Sequence, residues 1–182
     1  MDFFAQATGI AGMLANTLAF QFKNKKTIIL CQLMGSILFA VNMFMLNAIM
    51  GGLLNVVGIA RALVYMNKEQ IKIPVKAING GFMFLYCLSY VLIFTLFGKE
   101  ATPLNLIIEV LPLIGMGAMT IGLSMNRARA IRVCGFINSP SWLVYNCVNF
   151  SIGGIIGEVL GLISSISAYI RLDVKKKEEA PQ

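Results

Sequence analysis

NSPSWLVYNCVNFSIGGIIGEVLG, residues 138–161, is the stretch on which the reading of this chain turns. It holds the single tryptophan, Trp142, a proline inside an apolar run, Pro140, and one carboxylate, Glu158, deep in another. Moved back by 103 residues it lies over GSILFAVNMFMLNAIMGGLLNVVG, residues 35–58, without a gap. Ser139 then meets Ser36, Val144 meets Val41, Ile152 meets Ile49, Gly154 meets Gly51, Val159 meets Val56 and Gly161 meets Gly58. The register continues outward. Gly12 and Met13 meet Gly115 and Met116, Ala15 and Thr17 meet Ala118 and Thr120, and Ile28 and Cys31 meet Ile131 and Cys134. Related types pair as well: Gln6 with Glu109, Lys26 with Arg129, Phe39 with Trp142, Asn55 with Glu158, Lys68 with Arg171. Apolar identities alone would arise by chance in such a composition; the glycines, the basic residues and the unbroken register point to an internal repeat.

The composition says where the repeat lives. The 182 residues are 58% hydrophobic and 13% charged, with a mean hydropathy of +0.79, against about 25% charged residues in a soluble domain. The charges are clustered and leave apolar gaps near the roughly 20 residues that cross a bilayer as a helix. The runs are continuous, not alternating with period two, so helices are expected and a barrel is not. Seven spans follow: Phe3–Phe22, Thr27–Leu46, Ile49–Met66, Ala77–Phe97, Leu104–Met125, Ala130–Asn149 and Ile152–Leu172. The second and third, and the sixth and seventh, are joined so briefly that each pair must be a tight antiparallel hairpin.

The net charge of +7 would suggest nucleic acid in a soluble protein; here the basic residues fall in short interhelical loops, and no nucleic-acid partner is expected. Lys23, Lys25 and Lys26, then Lys68, Lys72 and Lys76, then Arg127, Arg129 and Arg132, then Arg171 and Lys175–Lys177 all fall on one side, with Lys99 beside Glu100 on the other. The positive-inside rule puts the N-terminus outside and the C-terminus in the cytoplasm. Arg61, near the cytoplasmic end of span three, is expected to snorkel. The tail, KKKEEAPQ, is expected to be disordered. The start, MDFF, has no basic region of a cleavable signal peptide. The four cysteines (Cys31, Cys87, Cys134, Cys147) read as small core residues, and the pairs Gly51-Gly52, Gly80-Gly81 and Gly153-Gly154 as sites of close helix contact.

Two three-helix units joined directly would be inverted, and span four, which has no mate in the repeat, restores the orientation of the first. The expected fold is therefore an all-α integral membrane protein, 3+1+3, with a pseudo-twofold axis along the membrane normal. Its parts are residues 1–68, a linker region 69–103, a second unit 104–172 and a tail 173–182.

Glu158 lies about 10 Å from the outer end of its span at 1.5 Å per residue. A charge at bilayer depth costs on the order of 2.5–3.5 kcal/mol, so protein or a water-filled cavity is its expected neighbour. With its mate Asn55 it would face a central path; the alternative is an interhelical hydrogen bond that serves packing alone. Trp142, Tyr145 and Asn146, with Asn42 from the first unit, would line that path as an aromatic and amide surface suited to a small polar solute. Glu109 and Gln6 would form its outer mouth, or else reach lipid headgroups. Pro112 and Pro140 would kink their helices. There is no histidine, metal-ligand spacing, phosphate loop or nucleophile elbow, so no enzyme, cofactor or metal is expected.

The runs E-V-L-P-L-I-G (109–115), S-P-S-W-L-V-Y-N (139–146), S-I-G-G-I-I-G-E (151–158) and S-A-Y-I-R (167–171) resemble the YgjV-type bacterial inner-membrane protein family. The likeness covers nearly the whole chain. It implies a bacterial inner-membrane location and a distant similarity to the SWEET, PQ-loop and nicotinamide-riboside transporter superfamily. In SWEET-like proteins an Asn pair on the third and seventh helices contacts sugar. Asn55 keeps that type, Glu158 replaces the second Asn, and the proline tetrad and PQ dipeptide are incomplete, so the likeness does not carry the substrate over. The expected function is transport of a small polar solute by alternating access, with ion or proton coupling and self-association left open; the alternative is a membrane receptor or assembly factor that does not transport.

Overall fold

The computed structural model describes residues 3–125 and 127–174. Among them the chain forms seven α-helices and no strand: α1 (Phe3–Ala19), α2 (Lys25–Met45), α3 (Ile49–Met66), α4 (Val75–Thr95), α5 (Pro103–Ser124), α6 (Ala128–Val148) and α7 (Ile152–Tyr169). The last continues into a π-helical turn at Ile170–Val174. Residues 175–182, and with them the reading of the tail as disordered, lie outside the described residues.

Five helices, α2, α3, α4, α5 and α7 in its extension to Leu172, are long and apolar enough to cross a bilayer. The other two differ for visible reasons. The described part of α1 has 17 residues, and α6 carries Arg129 and Arg132 inside its first turns. Helix starts follow local chemistry. Asn24 and Thr102 accept hydrogen bonds from the free N–H groups of Lys26 and Asn105, and Pro103 sits at the first turn of α5, where its missing N–H costs nothing.

The two expected hairpins are present and are built alike. Residues 46–48 join α2 to α3 and residues 149–151 join α6 to α7, and each connection has one non-glycine residue with positive φ, Asn47 (58°) and Phe150 (51°). Three backbone bonds close the first: Leu46 N–H to Asn42 C=O, Asn47 to Phe44 and Ala48 to Met43. The same three, Asn149 to Tyr145, Phe150 to Cys147 and Ser151 to Asn146, close the second, 103 residues on. A left-handed phenylalanine is costly unless its surroundings fix it, and the tight turn supplies that constraint here.

The helices pack in sequence around a closed ring: α1 on α2, α2 on α3, α3 on α5, α5 on α6, α6 on α7 and α7 back on α1. Helix α4 stands outside, against α3 and α5. It buries one stripe, Ile78, Phe82, Tyr86, Ser89 and Ile93, and this corrects one expectation. Gly80 and Gly81 face open space, with nothing within 4 Å of where a Cβ would stand, so they mark no helix contact. Gly153 does: a Cβ there would stand 2.5 Å from the Gly9 carbonyl carbon and 2.7 Å from the Ile10 nitrogen, which puts the α7 and α1 backbones in contact. Cys87 and Cys147 are exposed on the outer surface of the bundle and are not core residues; Cys31 and Cys134 are half-buried. Large apolar side chains such as Phe84, Leu104 and Ile163 face outward, as expected of a chain whose solvent is lipid.

Candidate functional site

A cavity of about 70 Å³ lies inside the ring, lined from α1, α2, α3, α5, α6 and α7. Its lining repeats itself. Six pairs of residues 103 apart contribute to it from both halves: Met13 with Met116, Asn16 with Met119, and Ser36 with Ser139. The other three are Phe39 with Trp142, Met43 with Asn146, and Asn55 with Glu158. Asn55, Glu158, Trp142 and Asn146 are thus brought together. Asn55 donates to the Gly51 carbonyl of its own helix at 2.8 Å, and the Ser139 hydroxyl interacts with the Glu158 carboxylate.

Asn42 and Tyr145, themselves repeat mates, do not line the cavity. Each is fully buried at the hairpin end of the bundle, tied to the first turn of the opposite half's last helix. The Gly51 N–H donates to the Tyr145 hydroxyl at 3.0 Å. The Ser151 hydroxyl, which caps α7, donates to Asn42 Oδ1 at 2.9 Å, and Asn42 Nδ2 holds the Ala5 carbonyl at 2.6 Å. The rings of Trp142 and Tyr145 meet edge to face at 5.7 Å, so the cavity wall leans on these hairpin-end ties. Helix α6 places all of these because spacing of three and four sets Trp142, Tyr145 and Asn146 on its buried face.

The other end is tied in the same reciprocal way. Lys68 Nζ, at the end of the first half, donates to the Ser124 carbonyl at 2.9 Å, and Arg171 Nη2 donates to Gln21 Oε1 at 2.7 Å. The shift that relates Lys68 to Arg171 relates Gln21 to Ser124. Arg132, a loop charge by sequence, is buried inside α6 and donates to the carbonyls of Phe20 and Phe22 past the end of α1. Free carbonyls at a helix terminus attract a cation in this way. Arg129 reaches the Tyr169 hydroxyl at 2.8 Å and lies over its ring.

Three placements differ from the sequence expectation. Arg61 does not snorkel. It is 5% exposed, lines the cavity, and donates through Nη1 to the Met116 carbonyl at 3.1 Å, with the Tyr86 and Thr120 hydroxyls each at 3.4 Å. Its mate Ser164 bonds the Thr17 carbonyl, and Thr17 is the mate of Thr120. Glu109 does not reach headgroups: it is fully buried, ion-paired with Lys99 from the α4–α5 connection, and beside the Tyr145 hydroxyl. Gln6 is half-buried, with neither amide atom bonded, and neither Gln6 nor Glu109 lines the cavity. Pro112 and Pro140 both lie within continuous helices.

The cavity-lining residues absent from the sequence expectation are chiefly Arg61, Asn16, Gln32, Ser36, Asn138 and Ser139. For Arg61 a signal existed. Gly51, Asn55, Gly58, Arg61, Ala62 and Tyr65 recur at intervals of three and four and form the buried stripe of α3.

A family model described as a bacterial inner membrane protein, Imp-YgjV, matches residues 3–176. The chain belongs to that family. No curated protein and no solved structure matches it. Membership agrees with the apolar helices and the outward-facing apolar side chains, and it makes the lipid bilayer the medium in which the cavity of this YgjV-family chain is enclosed. Among the described residues no group of three or more Cys, Asp or Glu is placed to hold a metal ion.

Proposed function

We propose that this inner-membrane protein transports a small polar solute by alternating access, with the cavity between Asn55 and Glu158 as the solute site. In this reading all seven helices cross the membrane. Residues 1–68 and 104–172 form two parallel units related by a pseudo-twofold axis, α4 is the linker, and the N-terminus lies outside. The distant likeness to the SWEET and PQ-loop superfamily belongs to the same reading. The observation that carries it is the lining: six pairs of positions 103 residues apart converge on one cavity that also holds Arg61. The ring order supports it, since each helix contact has its counterpart when α1, α2 and α3 are exchanged for α5, α6 and α7.

The ties at the two ends supply the moving parts. Each half holds the other at the outer end through Asn42 and Tyr145 and at the basic end through Lys68 and Arg171. Each hydrogen bond in these ties is worth about 1–3 kcal/mol, the upper range for those to charged groups, and in this reading one end opens while the other stays closed. The cavity is then reached from alternate sides. A receptor or assembly factor needs no polar cavity at this depth, and an enzyme would need a catalytic constellation that the lining does not hold.

Uptake into proteoliposomes checks the site. Asn55→Ala and Glu158→Gln are each expected to lower the rate for the transported solute at least about tenfold, one hydrogen bond to a charged group being worth about 1.5–3 kcal/mol. Wild-type rates in both variants for every solute carried would remove the assignment.

A further inference from the structure

Two ionisable side chains line the cavity, an acid and a base: Glu158 on α7 and Arg61 on α3. They do not satisfy each other. Among the described residues no carboxylate lies within ion-pair distance of Arg61, whose Nε is buried with no hydrogen-bond partner. Arg61 follows Asn55 by six positions on α3, about 9 Å along the helix axis. Asn55 marks the level of its mate Glu158, so the guanidinium sits toward the basic end of the cavity and the carboxyl toward the outer end.

One uncharged group sorts the same way. Asn146 Oδ1, close to the outer end of α6, is 1% exposed and accepts no hydrogen bond. It therefore adds an acceptor on the side of Glu158. Gln32 Oε1, nearer the basic end, is a second unfilled acceptor that lines the cavity. Buried polar atoms without partners are uncommon, and each costs free energy until something bonds it. The cavity thus presents one unfilled cationic donor and, away from it, the Glu158 carboxyl with the Asn146 amide oxygen.

Resting on the transporter reading above, we propose that the solute is a small zwitterion of the α-amino-acid class, its carboxylate toward Arg61 and its ammonium toward Glu158 and Asn146. A guanidinium is suited to a carboxylate, with several donors in a fixed plane. An ammonium supplies three donors and no acceptor, which matches the acceptors at the outer end. A zwitterion offers the Arg61 guanidinium and the Glu158 carboxyl each a group of opposite sign and brings no net charge into the cavity. A simple anion would leave Glu158 facing added negative charge, and a simple cation would leave Arg61 facing added positive charge. Size is compatible: the cavity, about 70 Å³, has room for a molecule like glycine or alanine.

The test is thermal unfolding of the purified full chain in detergent with glycine, L-alanine, acetate, propionate, ethylamine, glucose and a nucleoside, each at equal ionic strength. Glycine or alanine is expected to raise Tm by roughly 5–10 °C at a hundredfold excess over Kd. Acetate and ethylamine are expected to raise it far less, and Glu158→Gln to weaken the amino-acid effect at least about tenfold in Kd. Acetate acting as strongly as glycine, or an amino-acid effect unchanged in Glu158→Gln, overturns the zwitterion assignment. So does no response to either amino acid. A response to glucose or the nucleoside alone overturns it while the transporter reading stands. Cavity access from one side only in sided cysteine labelling would overturn the transporter reading itself.

Discussion

Glu158→Leu is expected to make the protein more stable and to abolish transport. A carboxylate at this depth costs on the order of 2.5–3.5 kcal/mol to insert, whereas leucine is favourable there by a few tenths of a kcal/mol. The cavity beside Glu158, about 70 Å³, receives the leucine methyl groups without forcing its neighbours apart. The one bond lost, to Ser139, leaves a hydroxyl that can turn to its own helix backbone. A net gain of about 1–3 kcal/mol follows, the insertion cost less the lost hydrogen bond. It would be read as a raised midpoint in thermal unfolding in detergent, with uptake falling to the level of empty vesicles. Residues kept for function at the expense of stability behave in this way. A carboxylate kept only to fasten helices would do the reverse, its loss lowering the midpoint while uptake continued.

Gly153→Ala is expected to have a large effect of the opposite sign. The added carbon would stand 2.5 Å and 2.7 Å from backbone atoms of Gly9 and Ile10. Backbone cannot rotate aside as a flexible side chain can, so α7 and α1 must separate. Overpacking of this kind costs about 1–3 kcal/mol, or roughly 2–12 °C in Tm for a chain of this size. Gly80→Ala and Gly81→Ala are the controls: both positions face open space, and alanine favours a helix over glycine by about 0.8–1 kcal/mol. Tm is therefore expected to stay or rise in them. Equal losses at Gly153 and Gly80 would show that the α1–α7 contact is not the close one.

Much of this is legible in the sequence because membrane helices announce themselves by length and charge spacing. The two hairpins are visible as missing loops, and the polar residues Asn55 and Glu158 as exceptions in apolar runs. What does not show depends on helix rotation and on which half a side chain reaches. Arg61 lies five residues before the end of α3, a depth at which snorkelling is ordinary, and only its place on the Gly51–Tyr65 stripe shows that it turns inward. Asn42 and Tyr145 precede the cavity residues Met43 and Asn146 by one position, and only the rotation of their helices turns them to the neighbouring helix start. Lys99 stands beside Glu100 in sequence; the fold of the α4–α5 connection instead brings it to Glu109, a contact that no local pattern encodes. Register pairs Lys68 with Arg171, but their placement in the chain speaks only to orientation. Their bonds to Ser124 and Gln21 need the two halves to be packed side by side.

Ser36, with its mate Ser139, faces the cavity between the two sets of ties, and its accessibility is sided if the halves rock. In a chain whose Cys31, Cys87, Cys134 and Cys147 are replaced by serine, Ser36→Cys would be exposed to a membrane-impermeant thiol reagent from each face of oriented vesicles in turn. Alternating access predicts that the thiol reacts from either face, with both reactions slowed by the transported solute. Reaction from one face only, or from neither, would contradict it.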